Sequence, residues 1–454
     1  MIFIQLILLF VITIFSFYLQ KKNLFSPSVL LGASASVCTL FCILNYNNWN
    51  MNSYEAYTVW LIIISVISFS TVSYVVSRIN ITVGRKTKKN HSGTENKIDH
   101  YYIPNWFTLG ISIILAVCTY LYYKEISYIA QVAKNMYPIK DYDMLWYVKN
   151  IDTGLSVNFI VSNLTDLGYV LSYLYIFFLI YNILSTRKIK KYIMYLLPIG
   201  IYAVQSILFG GRTGLLQMLV LTGTLVFYLV ASIRNKRMRT VFRYYMKRLI
   251  PVGICALLIF WYLNDVSGRS GTNMSPFYYI SVYIGSGIKN LDSFLRNFDG
   301  ICGNDGFGWE TFCGIYTFIK RFTNINYDGL VLEFQPRING LFMGNIYSAI
   351  RRYYYDFGVA GIIILPSVIS IVLTILEKKT RKIVFGLNTK SSSSSEAVCI
   401  IYGIFVYAVV IFFMEDFFFI NIISVNYLLK ILELVLCNWF LLKIGLVKRI
   451  KRKV

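Results

Sequence analysis

PRINGLFMGNIYSAIRRYYYDFGVAGIIILP, residues 336–366, passes from a polar, glycine-containing segment straight into an apolar helix. Before the apolar run begins it holds three arginines (Arg337, Arg351, Arg352), one acid (Asp356), two asparagines (Asn339, Asn345) and four tyrosines. Such a seam marks the mouth of a transmembrane helix, where polar groups are costly unless they meet polar partners. Apolar runs of the length needed to cross about 30 Å of hydrocarbon recur along the whole chain. Of the 454 residues, 57% are hydrophobic and 14% charged. The fold class is therefore all-α, a polytopic integral membrane protein with about eleven transmembrane helices. Barrel strands would alternate apolar and polar residues over ten-residue stretches, and none do.

The spans are expected at roughly 1–19, 28–45, 56–77, 105–123, 159–183, 192–209, 213–233, 249–264, 355–376, 396–414 and 425–445. The first run has no basic leader and no small-residue cleavage site, so it is expected to be a span and not a cleavable signal peptide. The formal net charge of +23 raises the question of nucleic acid. Its distribution points elsewhere. Most Lys and Arg fall in every second loop: 20–27, 78–104, 184–191, 234–248, 377–395 and 446–454. That alternation follows the positive-inside rule and predicts an outside N-terminus and a cytoplasmic C-terminus. The 377–395 loop ends in a serine run and has the composition of a flexible linker.

Two segments on the opposite side are long. In 124–158, Ile126, Ile129, Val132, Ala133 and Met136 follow helical spacing, which predicts an amphipathic helix along the membrane surface. The 265–354 loop is rich in Gly, Asn and aromatics, a composition that suits sugars and equally suits interfacial anchoring. Cys302 and Cys313 share this loop; spacing alone leaves their pairing open. No metal-ligand spacing occurs, and no cofactor is implied.

Candidate chemistry sits at three places. Gly211-Arg212-Thr213-Gly214 turns between the sixth and seventh spans, and Gly268-Arg269-Ser270-Gly271 follows the eighth. If Thr213 caps the seventh span, its helix N-terminus and Arg212 converge on one point, as a diphosphate requires. The plain alternative is a tight hairpin whose arginine reaches lipid phosphates. In the opening stretch, Tyr347, Arg351 and Tyr355 are expected on one helical face, with an Arg352–Asp356 ion pair on the next. Either this pair anchors the helix, or an arginine meets phosphate while Asp356 serves as a base. Gly358 and Gly361 allow close helix contact. Glu415 and Asp416 open a later outer turn; they bind sugar hydroxyls, act as a base or are simply solvated. Asp166 is an acid within a span, and Lys430 and Glu433 are expected to neutralise each other. No His lies on the outer side, so His-based activation is not available there. Nor is ATP, so an outer-face reaction needs an activated donor such as a lipid-diphosphate sugar.

At these residues the sequence resembles the oligosaccharide repeat-unit polymerases, the Wzy-type O-antigen and capsule polymerases. The likeness rests on LFGGRTGLLQ (208–217), on the 336–366 stretch, and on many spans with a long outer loop before a late one. It implies a glycosyltransferase that polymerises undecaprenyl-diphosphate-linked oligosaccharides at the outer face of the bacterial plasma membrane, without metal. It also implies membrane lipids, a chain-length regulator and a flippase of the same pathway as partners, and no nucleic acid. Carried onto this chain, the functional arginines would be Arg212 and one or more of Arg269, Arg337, Arg351 and Arg352. Asp356 stands as the candidate base, and Thr213, Asn339, Asn345, Tyr347, Glu415 and Asp416 as substrate-binding candidates. The Arg-x10-Gly pattern of some members is missing from the outer loops, so ranking the arginines is physical inference. The related O-antigen ligases share the plan but rely on an outer-face His. A lipid-linked oligosaccharide flippase is the alternative from another class; it predicts intramembrane charges and matched halves.

Overall fold

The computed structural model describes residues 1–79, 98–138, 144, 147–148, 151–208, 213–233, 240–241, 262, 275–298, 306–323, 325, 327, 332–386 and 395–451. In chain order the helices are α1 (Ile2–Leu19), α2 (Pro27–Leu44), α3 (Ala56–Arg78), α4 (Asn105–Met136), α5 (Phe159–Thr186) and α6 (Leu196–Leu208). There follow α7 (Thr213–Ile233), α8 (Pro276–Asn297), α9 (Cys313–Ile319), α10 (Ala349–Gly386), α11 (Ser395–Val410) and α12 (Val425–Lys443). A 3-10 turn, Lys190–Tyr195, leads into α6, and a π-helical turn, Phe418–Ile422, lies between α11 and α12.

Nine helices among the described residues are long and apolar enough to cross a membrane, and α11 is apolar but shorter. The chain is an all-α polytopic membrane protein. The predicted span 249–264 lies outside the described residues apart from residue 262.

Helix starts follow local chemistry. Pro27 and Pro276 sit in the first turns of α2 and α8, where a missing N–H costs nothing. Asn158, Ser275 and Ser424 accept N–H bonds as N-caps of α5, α8 and α12. Between helices, hydroxyls tie neighbours together: Ser370 Oγ donates to Phe69 O at 2.7 Å, and Thr374 Oγ1 to Ser73 Oγ at 3.0 Å. These bonds join α10 to α3 where lipid offers no competing partner.

Two strands, β1 (Ile98–Tyr102) and β2 (Lys448–Lys451), pair antiparallel with Tyr101 opposite Arg449. Both come from segments expected on the basic side, and they close one end of the bundle, here the strand end. Beneath them Glu396, fully buried, accepts from Arg449 Nη2 at 2.6 and 2.8 Å and from Tyr101 Oη at 2.7 Å. At the other end, the cap end, α8 packs chiefly against α2. Its Gly287 backs so closely onto the Phe413 carbonyl that a Cβ would stand 2.1 Å away. Its Asp292 accepts from the Glu55 N–H and Thr58 Oγ1, both at 3.0 Å, and so closes the start of α3.

Several expectations are corrected. The amphipathic segment after residue 124 is no separate surface helix: α4 runs on to Met136, 32 residues in all. At about 1.5 Å per residue it outruns the hydrocarbon. Its Ile126 and Ala133 join small apolar clusters with Met144, Tyr147, Val148 and Val161, and Ile129 is buried too. The 265–354 stretch is no mere loop, since α8 buries one face on α2 and α3. Lys430 pairs with Asp166 at 2.8 Å, joining α12 to α5, and Glu433 Oε2 carries no hydrogen bond. Gly358 does not serve helix–helix contact; at φ 60° and ψ −147° it breaks α10 into two rods. Gly361 then packs under the Tyr353 carbonyl of the first rod.

Candidate functional site

Three charged side chains from the start of α10 converge on one residue, Glu310. Arg351 Nη1 donates to Glu310 Oε2. Arg352 Nη1 donates to the Glu310 carbonyl oxygen at 3.0 Å. Asp356 accepts the Glu310 N–H at 3.2 Å and the Thr311 N–H at 2.6 Å. The helix explains the division. Arg352 and Asp356, four apart, share a face and grip the 310–311 backbone; Arg351, one position round, takes the carboxylate.

Arg351 has a second carboxylate in Glu333 Oε2 at 3.0 Å. Its guanidinium also lies 4.6 Å from the ring centre of Phe294, 4.9 Å from Tyr347 and 5.8 Å from Tyr355. The predicted Tyr347–Arg351–Tyr355 grouping is present, although the helix starts at Ala349, after Tyr347. The expected Arg352–Asp356 ion pair is not: among the described ion pairs none joins them, because Asp356 is engaged with backbone N–H groups. That engagement also counts against Asp356 as a base, since both of its oxygens already accept bonds.

Environment separates the carboxyls. Burial, the largest influence, pushes Glu310 up to about 7 against the pull of Arg351 and Arg352. Glu333 goes the other way: burial opposes ionisation, but Arg351, a backbone N–H and the Tyr347 hydroxyl together hold it below the usual carboxylate range. Asp416 is buried, not solvated. Burial pushes it up to about 7, while the Phe419 N–H, at 3.1 Å, and Arg352 pull down. Glu415 is raised by burial with Arg352 opposing. Asp416 Oδ2 and the neighbouring Tyr353 Oη are sealed from solvent without a well-formed hydrogen bond, and Thr311 Oγ1 and Arg351 Nε are likewise unbonded. Unpaired buried polar atoms are rare, and Thr311 Oγ1 and Arg351 Nε are two of them at this one site.

The other candidates scatter. Tyr347 Oη donates to Glu333 Oε1 at 3.1 Å and accepts from Gln335 Nε2 at 2.6 Å. Asn339 and Gly340 both have positive φ, 52° and 75°, and turn a tight hairpin between Ile338 and Leu341. Asn339 Nδ2 also donates to the Asn47 and Asn48 carbonyls at 3.2 Å, so its role is to pin this turn. Asn345 Nδ2 donates to Leu332 O at 3.4 Å. Arg337 is exposed. Thr213 is exposed as the first residue of α7, while Arg212 and Arg269 lie outside the described residues. Cys313 is a buried free thiol, and Cys302 lies outside the described residues.

Sequence reasoning missed Glu310 and Glu333. A signal for the first was available: Glu310 is a lone acid within the aromatic, glycine-rich run GFGWETF, residues 306–312. No family model matches the sequence, and neither a curated protein nor a solved structure matches it.

Proposed function

We propose that this chain is a membrane glycosyltransferase that polymerises undecaprenyl-diphosphate-linked oligosaccharide repeat units into O-antigen or capsular polysaccharide. The reading places the cap end at the outer face of the bacterial plasma membrane and the basic strand end in the cytoplasm, by the positive-inside rule. The observation that carries it is the buried centre of Arg351, Arg352 and Glu310 at the mouth of α10.

In the transfer, an acceptor hydroxyl attacks the donor sugar's anomeric carbon and the lipid diphosphate leaves. Guanidinium groups fixed in a water-poor site stabilise that departing charge. Arg351 is occupied by two carboxylates. Among the described residues Arg352 bonds only the Glu310 carbonyl, which leaves donors for phosphate. Arg352 is therefore the first choice for the diphosphate, with Arg212 and Arg269 as outer-face partners by sequence. The test is a strain lacking the chain, with lipid-linked glycans measured for length and membrane side. Single repeats stranded on the outer face, restored to a ladder by the wild-type copy, support the polymerase; a ladder without the chain overturns it.

One observation favours the transporter reading. The Asp166–Lys430 pair lies within predicted spans, each side chain about a quarter exposed, at 26% and 27%. Under that reading the same strain strands single repeats on the inner face.

A further inference from the structure

We infer that Glu310 is the group that takes the proton from the attacking hydroxyl of the acceptor sugar, and that Asp356 and Arg352 position it. The inference rests on the polymerase reading and deepens it.

Five carboxyls face Arg351 and Arg352; bonding geometry removes Asp356, Asp416 and Glu333, and Glu415 has no side chain clamping its backbone among the described residues, as Glu310 has. Asp356 has both oxygens committed to backbone N–H groups. Asp416 accepts one N–H through Oδ1, and its Oδ2 is sealed from solvent. Glu333 is held ionised: Arg351 reaches both its oxygens, at 3.3 and 3.0 Å, and Tyr347 Oη donates to one. Glu310 differs. Arg351 holds Oε2, while Oε1 accepts no hydrogen bond from a described residue and is not among the sealed polar atoms. Its backbone is clamped on both sides, N–H by Asp356 and carbonyl by Arg352, so the free oxygen is fixed in place. A proton acceptor needs that combination of reach and rigidity.

The two glutamates on Arg351 also differ in proton affinity, Glu310 raised to about 7 and Glu333 lowered. Carboxyls pushed apart by their surroundings divide acid–base work. The groups facing Glu310 are Arg351, Arg352 and Asp356 from α10, Glu333 across Arg351, and Tyr327 beyond α9.

The step balances. The hydroxyl oxygen bonds to the anomeric carbon, and its proton passes to Glu310 Oε1. The bond from that carbon to the diphosphate oxygen breaks, and its electron pair leaves with the lipid diphosphate. Glu310 then returns the proton to water.

The experiment uses the full chain reconstituted in vesicles with an undecaprenyl-diphosphate-linked repeat unit, following polymer rate from about pH 5 to about pH 9. The wild-type rate is expected to fall on the acid side through about pH 7. Glu310→Gln is expected to lose about 100-fold or more in kcat, to keep the donor KM within about threefold, and to lose the acid limb. Glu310→Asp keeps part of the rate and moves the limb. Near-wild-type kcat with an unchanged limb in Glu310→Gln overturns the assignment, as does an effect confined to KM. If the Gln variant does not accumulate, an unshifted limb in Glu310→Asp overturns it. A wild-type chain that makes no polymer sinks the polymerase reading, and this assignment with it.

Discussion

Arg351 and Glu310 form an ion pair with both side chains almost entirely buried, at 4% and 6% exposure. The attraction of such a pair is offset by the cost of taking both charges out of water. Its large energetic consequence appears when one partner is removed.

Arg351→Ala is expected to destabilise the cap end by about 3–5 kcal/mol, because buried Glu310 then loses its counter-charge; half-exposed Glu333 adds little. The unfolding midpoint of purified protein in detergent measures this. A midpoint within a degree or so of wild type would show that the pair is dispensable.

Asp356→Asn tests positioning against catalysis. Asparagine keeps one acceptor oxygen but presents an NH2 to the second backbone N–H. The rate should drop about tenfold or more while the acid limb of the pH profile stays in place, since Asp356 holds the Glu310 and Thr311 backbone. A vanished acid limb would make Asp356 the titrating group.

Arg352 lowers the proton affinity of both Glu310 and Asp416. Arg352→Gln removes that cation, so the acid limb should move to higher pH, alongside a loss of donor binding. A limb moving to lower pH would contradict the geometry.

Stability should depend on pH with a definite sign. Glu310 rises from 4.5 to about 7 on folding, and Asp416 from 3.8 to about 7. Between those values the folded chain binds more protons than the unfolded one. The stabilisation is complete below the unfolded values and is lost as pH rises through about 7, by on the order of 3 kcal/mol for each carboxyl. Unfolding midpoints should fall across this window and level off above it. Glu310→Gln should remove its share of the slope.

Lys430→Met leaves Asp166 without its partner inside the helix bundle. Membrane levels are expected to fall, and Asp166→Asn in the same chain should recover them. Equal levels in the single variant would mean that the pair contributes nothing to folding.

The spans were legible because a bilayer demands long apolar runs whatever their neighbours. The position of Arg351 and Arg352 at the start of a long helix was legible too. Their partners were not. Asp356 lies four residues from Arg352, and helical spacing made an ion pair the natural expectation; backbone N–H groups from a segment 45 residues away won the carboxylate instead. The same holds for Lys430, which passed over Glu433, three residues on, for Asp166 on another helix. Glu310 and Glu333 act through contacts distant in sequence, which local periodicity does not encode.

Gly358 adopts a backbone conformation reserved for glycine, and it divides α10 into a short rod carrying both guanidinium groups and a long one through the bundle. Membrane helices tilt to match the thickness of the bilayer around them. In an unbroken helix that tilt acts as a lever on whatever sits at the tip. Here the torsions at a single residue can absorb it, so the spanning rod can follow the lipid while Arg351 and Arg352 stay registered on Glu310. The orientation of the arginine-bearing rod is thereby set by its own partners, Glu310 and Glu333, and not by the direction of the spanning rod.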